Sequence, residues 1–374
     1  MKILQLIQKP QLRGAEVFAC QLSNQLLQAG HEVLMFSLFP GDSPLPFAGK
    51  HIPLHRPPGN RFFDYRGWKL LAQCIYDFKP DVVQANAGDT LKYAVLSKLL
   101  FRWKAPVVFR NGSVMSRYIQ SPVVKAWNAF LMRNVTYVVS VSDESSMDLV
   151  KLFPFMQNRI RTIPIGIDLP ALPSTTTKTK SYIVHIGGFT FEKNHTRLLH
   201  IFKRLHERHP ELSLWLVGDG PLRKMIEQQT AEMGLSSVVK FLGIQNDVMP
   251  LLQSAKILVL PSVIEGLPGV ILEAMYCKIP VVAYAVGGVP EVVKNRVTGW
   301  LVQAGDEAGF VNAVNEVLQL DAGKLTEITD RAHQQVVSGF NNKAITKKFV
   351  EVYLELAGVT NNTVSGMYAQ QQAR

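Results

Sequence analysis

The sequence has few of the features that define secreted, metal-binding or membrane-spanning proteins. Its 374 residues include three cysteines, Cys20, Cys74 and Cys277. This odd number at wide spacing supports neither a disulfide framework nor a zinc cluster. No uninterrupted apolar run approaches the ~20 residues that a transmembrane helix needs. The apolar run at residues 3–7 is too short for the core of a signal peptide. We therefore expect a cytoplasmic globular protein of two or three domains.

Acidic residues are also scarce, and the charge is uneven along the chain. The sequence has 40 Lys and Arg against 29 Asp and Glu, a net charge of +11. Residues 1–170 carry 20 basic and 11 acidic side chains, whereas residues 171–374 carry 20 and 18. This asymmetry indicates an anionic partner for the first half, such as nucleic acid, an acidic polymer or an anionic membrane. A basic surface that serves solubility alone explains the charge equally well.

One pattern recurs along the chain: a short apolar run, a loop rich in glycine or proline, and then an amphipathic stretch. Strands alternating with helices are typical of parallel sheets covered on both faces. The fold class is therefore predicted to be α/β, with two doubly wound domains facing each other across a cleft. The apolar runs that predict the strands lie at residues 2–7, 31–36, 81–83, 106–109, 137–141, 182–186, 212–217, 238–242, 257–260, 281–285 and 300–302.

Composition also predicts the domain boundaries. We expect a first domain over residues 1–168 and a second over residues 181–338. The segment 169–180 is rich in Pro, Ser and Thr without apolar periodicity, which predicts a linker. Residues 339–358 are predicted to form a final helix, and the polar residues 359–374 a flexible tail. The Pro- and Gly-containing residues 41–61 are predicted to be a long surface excursion.

The loops that follow the second-domain strands are the expected place for chemistry, because ligands bind outside the carboxyl ends of parallel strands. Small residues with free backbone N–H groups permit the close approach that a phosphate requires. Five such loops are rich in glycine: residues 187–194, 218–221, 243–247, 262–269 and 286–291.

The strongest single element is the segment 261–275. A predicted strand ends at Pro261, a glycine-rich turn carries Glu265, and the predicted helix 267–277 carries Glu273. Apolar residues flank Glu273, so its carboxylate is expected to be partly buried and to need a hydrogen-bond partner. Two carboxylates beside an anion site suit a nucleotide sugar. A helix-capping Glu265 and an ion-paired Glu273 would explain the pair on its own equally simply.

Lys193 lies in the loop after the first strand of the second domain. An ammonium group there could neutralise a diphosphate leaving group. In isolation a surface lysine is the simpler interpretation, and its position in a strand-exit loop favours the functional one. Gly287 and Gly288 form either a tight turn or a place where a ligand approaches closely.

Taken together, these motifs resemble the donor domain of family-4 retaining glycosyltransferases of GT-B architecture, which has two Rossmann-like domains. Glu265 and Glu273, with seven residues between them, are part of the resemblance, which covers about residues 160–305 in unbroken order. The first half matches more loosely, through residues 13–16 and 29–33. The other matching segments lie at residues 163–168, 187–194, 216–221, 241–243, 287–291 and 299–302.

The resemblance implies roles for individual residues. Lys193 and the amides around Gly266 and Leu267 would hold the donor diphosphate. Glu273 would hold the ribose, and Glu265 would contact the transferred sugar near its anomeric carbon. The loop at Gly243 and Ile244 would hold the base, Gly14 would close over the phosphates, and the final helix would cross back to the first domain. The remaining donor-binding positions that the resemblance implies are Gly187, Gly188 and Asn194.

The sequence departs from the family pattern at two places. Relatives usually have an arginine where this chain has Gly188, and Arg13 and Arg110 are candidates to supply that charge. Many relatives carry a histidine in a first-domain exit loop, where this chain offers Asn86 and Asn111 as acceptor-side candidates.

The resemblance implies a metal-independent, retaining transfer of a hexose-type sugar from a UDP- or GDP-type donor, without a separate cofactor. The acceptor would be lipid-linked or a polysaccharide, as in lipopolysaccharide or capsule biosynthesis. A GT-B nucleotide-sugar epimerase, a sugar-phosphate transferase and a non-catalytic basic binding protein remain alternatives. A nicotinamide dehydrogenase is disfavoured because no G-x-G-x-x-G follows the first strand. Nucleic acid is disfavoured as a partner because no recognisable module is present.

Two basic segments of the first half, residues 92–104 and 125–133, mix Lys and Arg with Leu, Phe and Trp. Such segments suit binding to anionic lipid headgroups. Two packed helices with solvated basic faces are the alternative. On the first interpretation the protein is expected to lie peripherally on the inner face of the membrane.

Overall fold

The computed structural model describes residues 1–41, 43–171 and 181–358. The first part of the chain forms a parallel sheet of β1 (Lys2–Ile7), β2 (Glu32–Ser37), β3 (Lys50–Pro53), β4 (Val82–Ala85), β5 (Val107–Asn111), β6 (Tyr137–Ser140) and β7 (Ile160–Thr162). The strands lie in the order β3-β2-β1-β4-β5-β6-β7, so the order reverses between β1 and β4. The helices of this domain are α1 (Gly14–Gln28), α2 (Tyr65–Phe78), α3 (Gly88–Phe101), α4 (Pro122–Arg133) and α5 (Asp143–Leu152).

The second part forms a parallel sheet of β8 (Tyr182–Ile186), β9 (Ser213–Val217), β10 (Val239–Gly243), β11 (Ile257–Leu260), β12 (Val281–Tyr284) and β13 (Trp300–Val302). Their order is β10-β9-β8-β11-β12-β13, with the reversal between β8 and β11. The helices are α6 (His195–His206), α7 (Arg223–Glu232), α8 (Met249–Ser254), α9 (Gly269–Tyr276), α10 (Val289–Val292), α11 (Glu307–Gln319), α12 (Ala322–Gly339) and α13 (Asn342–Leu356).

The predicted α/β fold with two doubly wound, Rossmann-like domains is confirmed. The strands predicted from apolar runs are present, and their bounds differ by at most two residues. The prediction of a surface excursion over residues 41–61 was wrong in part, since β3 lies within it. This strand is at the edge of the sheet and is exposed or half-buried, so it needs no apolar run.

The two passages of the chain between the domains are paired with each other. The backbone N–H of Ile167 donates to the carbonyl of Phe340 at 2.9 Å, and that of Asn342 donates to Ile167 at 3.1 Å. The Asn342 side chain also donates to Asp168 at 2.9 Å. Most of the predicted linker (residues 172–180) and the predicted tail (359–374) lie outside the described residues.

Helix α13 returns to the first domain and packs against α1. The rings of Phe349 and Phe18 lie 6.0 Å apart between centroids. The hydroxyl of Tyr353 donates to the Gln84 side chain inside the first domain, and both residues are fully buried. The C-terminal helix therefore completes the interior of the N-terminal domain.

The segment 92–104, predicted to bind lipid, is largely turned inward. Trp103 is buried and its indole N–H donates to Ser97 at 3.1 Å. The ammonium group of Lys98 donates to the Ala105 carbonyl at 2.7 Å. Trp103 therefore cannot be an interfacial tryptophan, because it fills the core beneath α3; membrane binding by the exposed end of this segment stays a prediction.

Helix α4, which contains the second predicted segment, does present apolar side chains to solvent. Val123 is 79% exposed and Phe130 is 39% exposed, and the Trp127 and Phe130 rings stack at 5.6 Å. The buried residues of this 12-residue helix are Leu131 and Met132. The apolar surface near residues 125–133 is therefore available for a partner.

The two domains meet backbone to backbone at the carboxyl ends of their sheets. A Cβ placed on Gly266 would lie 2.1 Å from the carbonyl oxygen of Gly112, and one on Gly288 would lie 2.7 Å from Cβ of Ser142. The carboxylate of Glu291 accepts hydrogen bonds from the first two N–H groups of α5, at 3.1 and 3.0 Å. Glycine thus permits the domain spacing, and Glu291 adds a charged contact to it.

This contact predicts that Gly266→Ala separates the domains. The new Cβ would meet the Gly112 carbonyl and the Val141 side chain, so the loops must move apart. We expect the free energy of unfolding to fall by about 1–3 kcal/mol and the radius of gyration to increase in small-angle X-ray scattering. Gly269→Ala is the matched control, since its Cβ would meet Ile165 at an ordinary 3.5 Å. Unchanged stability and radius for Gly266→Ala would contradict the close contact.

Candidate active site

The site forms where the strand order of the second sheet reverses. The loops that follow β8 and β11 leave neighbouring strands at this point and meet beyond the sheet edge. They bring together the two predicted catalytic side chains: Nζ of Lys193 lies 2.6 Å from Oε1 of Glu265. The Glu265 side chain is buried and that of Lys193 is about four-fifths buried. Each charge therefore compensates the other in a place with little water.

The loop that carries Lys193 is held by its neighbours. Asn194 adopts the left-handed conformation, with φ of 58°, which asparagine tolerates better than most residues. Its side-chain amide donates to the Pro261 carbonyl at 3.0 Å, so it ties the loop after β8 to the end of β11. The side-chain atoms Cγ, Cδ and Cε of Lys193 lie along Gly187. A Cβ on Gly187 would lie 3.2 Å from Cδ of Lys193. Asn194 and Gly187 thus position the lysine.

Glu273 lies on the second turn of α9 and is partly buried. Within the described part of the chain its carboxylate has no hydrogen-bond partner. Burial raises the pKa of Glu273 to about 7, and the nearby charge of Asp247 adds to the rise. A pair of hydroxyl groups that donate to this carboxylate would favour its ionised form. The side chain is therefore suited to a ligand with vicinal hydroxyls.

Several predicted glycines leave the backbone accessible. Gly14 is exposed at the start of α1, and a Cβ there would have no heavy atom within 4 Å. Gly243 has φ of +67°, a conformation that favours glycine, and Ile244 beyond it is half-exposed. Leu267 has its side chain in the core and can offer its backbone.

Arg13 reaches across the cleft to the position where the arginine of relatives is expected. A Cβ on Gly188 would lie 3.7 Å from Nε and 3.9 Å from Cζ of Arg13. The guanidinium therefore lies against the loop that carries Lys193, although 175 residues separate Arg13 from Gly188.

Arg110 does not occupy the position predicted for a phosphate-binding arginine. It is buried, with Nε donating to Asn86 at 3.0 Å and Nη2 donating to the Ala15 carbonyl at 2.9 Å. Burial lowers the pKa of Arg110 to about 10, while the charge of Glu16 opposes the change. This arginine fixes the beginning of α1 from inside the domain and does not face the cleft.

The structure also contradicts the prediction that Asn86 and Asn111 bind the acceptor. The Asn86 amide donates to Gln5 at 2.9 Å, and its oxygen accepts from Gln84 and Arg110. The Asn111 amide donates to Ser140 at 3.2 Å and to the Ser145 carbonyl at 3.3 Å. Both side chains are buried and complete polar networks at strand ends, so neither is free to bind an acceptor.

Sequence reasoning missed Tyr118, which lies in the cleft on the first-domain side. Its hydroxyl donates to Glu192 across the cleft at 3.2 Å. Burial raises the pKa of Tyr118 to about 12, and the charges of Glu192 and Glu265 contribute to the rise. The signal was weak, because Tyr118 lies seven residues beyond β5 in a loop without a motif.

The described residues include neither a metal-binding cluster nor a membrane-spanning helix. No group of three or more His, Cys, Asp or Glu side chains there could hold a metal ion. No helix there combines the length and the apolar character needed to cross a bilayer.

Comparison with known proteins gives two family matches, one in each half. The model for Glycosyltransferase Family 4 matches residues 12–170, and that for Glycosyl transferases group 1 matches residues 173–335. The chain is 24% identical to N-acetyl-alpha-D-glucosaminyl L-malate synthase of Bacillus anthracis, over 93% of this chain and 95% of that protein.

Two further similarities agree with these matches. The UDP-Gal:alpha-D-GlcNAc-diphosphoundecaprenol alpha-1,3-galactosyltransferase of Escherichia coli is 26% identical over 63% of this chain and 64% of its own length. The crystal structure of Anabaena HepE in complex with UDP and glucose superposes with a TM-score of 0.79. That similarity covers 94% of this chain and 99% of HepE at 21% identity, and it shows the shared fold. The chain therefore belongs to the family-4-like glycosyltransferases of GT-B architecture.

Proposed function

We propose that the protein is a retaining glycosyltransferase that moves a hexose-type sugar from a nucleotide diphosphate sugar to a lipid-linked or polysaccharide acceptor. The observation that carries the proposal is the Lys193–Glu265 pair at the strand-order reversal of the second sheet. HepE was crystallised with UDP and glucose, which favours UDP over GDP. The name of the Escherichia coli relative specifies a diphosphoundecaprenol-linked acceptor, which favours the lipid-linked class.

Donor binding would exchange the partner of Lys193. The ammonium group now faces Glu265, and an incoming diphosphate offers it a stronger anion. Glu265 would then be released to accept hydrogen bonds from hydroxyls of the sugar being transferred. Backbone amides at Gly266 and Leu267 would complete the diphosphate site, with Gly14 approaching from the first domain.

In the transfer step, the bond between the anomeric carbon and the diphosphate oxygen breaks. The acceptor oxygen forms its bond on the same face of the sugar, which retains the configuration. The acceptor proton passes to an oxygen of the departing diphosphate. Lys193 and Arg13 stabilise the negative charge that develops there, and this is the main catalytic contribution of the chain. We propose that these two cations replace a divalent metal ion.

The nucleoside would lie along the second domain. The carboxylate of Glu273, which has no hydrogen-bond partner among the described residues, would accept hydrogen bonds from the ribose hydroxyls, and the base would lie at Gly243 and Ile244. The exposed apolar surface of α4, around residues 125–133, would contact the inner face of the membrane.

Nucleotide binding and product stereochemistry test the proposed function directly. We expect UDP at 100 times its dissociation constant to stabilise the folded protein by ~2.7 kcal/mol in a thermal-shift assay. Lys193→Ala should keep its fold and lose about 10²–10³-fold in kcat. Nuclear magnetic resonance of the product should show the anomeric configuration of the donor, and EDTA should leave the rate unchanged.

The same assay with GDP, ADP, dTDP and NAD provides the control. No shift with any nucleotide, in a protein that melts cooperatively, would favour a non-catalytic basic binding protein. An inverted product would refute the retaining mechanism, and a free sugar or an epimer would favour the epimerase alternative.

Moving the positive charge from residue 13 to residue 188 tests the role of Arg13. Arg13→Ala removes the second cation at the diphosphate and is expected to lower kcat/KM roughly 10–100-fold. Gly188 has no positive φ, and its Cβ would have no heavy atom closer than 3.6 Å, so it can accept a side chain. We expect the double variant Arg13→Ala/Gly188→Arg to regain most of the activity. The matched control is Arg13→Ala/Gly188→Gln, which adds a similar bulk without charge and should not rescue.

The raised pKa of Glu273 makes nucleotide binding depend on pH. Ribose hydroxyls favour the ionised carboxylate, so binding lowers the pKa of Glu273 and releases a proton. With a free-state pKa of about 7, the ionised fraction, and with it the affinity for UDP, should rise about tenfold from pH 6 to pH 8. Isothermal titration across this range measures the slope. Glu273→Gln removes the titrating group and leaves the contribution of the UDP phosphates, so parallel profiles for the two proteins would contradict the assignment.

A further inference from the structure

An exposed aromatic and basic surface lies at the start of α2, and neither the fold nor the site described above uses it. Phe62 is 69% exposed, Phe63 is 77% exposed and Tyr65 is 51% exposed. Arg61 and Arg66, also exposed, lie on either side of these rings. We call residues 61–66 the aromatic rim. Three exposed large rings within four consecutive residues are uncommon on a soluble surface and mark a contact site.

The aromatic rim lies beside the mouth of the cleft. Nη2 of Arg61 is 3.4 Å from the Asp89 carboxylate, and the ammonium group of Lys92 lies 4.5 Å from the centre of the Phe62 ring. Asp89 and Lys92 belong to the first turns of α3, directly beyond β4. Gln8, in the loop after β1, donates to Asp89 at 2.6 Å. The rim is thus tied to the loops at the carboxyl edge of the first sheet, where its strand order reverses.

The rim is held in place by a buried carboxylate. Asp64 accepts two hydrogen bonds from Arg56, at 2.8 and 2.9 Å, and one from the N–H of Gly67 at 3.0 Å. The Tyr93 hydroxyl donates to it at 2.6 Å. These bonds fix Asp64 in the core. Its neighbours in sequence therefore point outward: Phe62 and Phe63 before it, and Tyr65 after it.

We propose that the aromatic rim inserts into the interfacial layer of an anionic phospholipid membrane and so places the mouth of the cleft against the bilayer. Rings flanked by arginines match that layer, since the rings enter the acyl boundary while the cations pair with headgroup phosphates. The one acidic residue within the rim, Asp64, is buried and paired, so it does not repel the surface. Lys69, exposed on α2, extends the basic border.

A membrane fits this surface better than a soluble glycan. A sugar bound on an aromatic ring also needs groups that accept hydrogen bonds from its hydroxyls. The carboxylates near the rim, Asp64 and Asp89, are already paired with arginine or lysine. The proposal rests on the proposed function only for why a membrane is near, because a lipid-linked acceptor would enter the cleft from it. The binding itself requires neither donor nor acceptor.

Vesicle co-sedimentation of the full chain tests the proposal. We use vesicles of phosphatidylcholine alone and of phosphatidylcholine with one quarter phosphatidylglycerol, in the absence of nucleotide and acceptor. The wild type should partition onto the anionic vesicles at least tenfold better than onto the neutral ones. Phe62→Ser/Phe63→Ser should reduce anionic partition at least tenfold. Val297→Ser/Val337→Ser is the matched control, because it removes two exposed apolar side chains from the second domain, and it should stay within twofold of wild type.

A second variant guards against a folding defect. Phe62→Trp keeps the aromatic ring, and its added emission should shift to the blue on anionic vesicles and be quenched by brominated lipid. Equal partition of the rim double variant and the wild type, or no quenching at Trp-substituted position 62, would overturn the proposal. If the rim bound a soluble acceptor glycan and no vesicle, the membrane proposal would also be overturned, because the rim would then be a sugar-binding surface.

The outcome is separable from that of the proposed function. UDP-induced thermal stabilisation should be the same in the rim double variant and the wild type, since the rim lies outside the donor site. Vesicle binding through the rim without any nucleotide shift would leave the membrane surface standing and refute the glycosyltransferase proposal.

Discussion

The geometry of the site depends on a contact between two pieces of backbone. Gly266 and Gly288 of the second domain lie so close to Gly112 and Ser142 of the first that a side chain at either glycine would collide. Because Gly266 and Gly288 have no Cβ, the domains approach closely, and this approach sets the width of the cleft. That width allows Arg13 to lie against Gly188 and Tyr118 to reach Glu192. The candidate site is therefore shared between the domains, because glycine lets them approach.

Within that cleft, the three important carboxylates differ in their partners. Glu265 is neutralised by Lys193, Glu192 accepts a hydrogen bond from Tyr118, and Glu273 has no hydrogen-bond partner among the described residues. An unpaired, partly buried carboxylate is costly, and here the cost appears as a raised pKa. A donor with both a diphosphate and a diol would pair with Lys193 through its phosphates and donate to Glu273 through its hydroxyls. The same ligand thus satisfies the paired cation and the unpaired anion.

Sequence reasoning succeeded where the physical signal was local. Apolar runs located the strands, and the loops that follow them contained Lys193 and Glu265, which are 72 residues apart in sequence but in contact. It failed where the outcome depended on packing at long range. Trp103, Arg110, Asn86 and Asn111 have the residue types of surface or site groups, yet each faces the interior. Polarity alone does not show which way a side chain points from the end of a strand. Strands β3 and β7 were missed because they lie at the two edges of the first sheet, where a strand can be polar or half-exposed. Tyr118 was missed because no pattern marks it.

The second cation, Arg13, links domain closure to departure of the diphosphate in the proposed mechanism. An arginine at residue 188 would lie on the same domain as Lys193, and a donor could meet both charges with the cleft open. In this chain the guanidinium comes from Arg13, on the other domain, and the chain segments at Ile167 and Phe340 pair at the connection between the domains. The diphosphate can then meet both cations only when the domains are together. In the proposed mechanism, leaving-group stabilisation is therefore tied to closure, because the charge that would assist departure of the diphosphate comes from the first domain. Such an arrangement disfavours breakdown of the donor in an open cleft, where water is abundant and the acceptor is not in place.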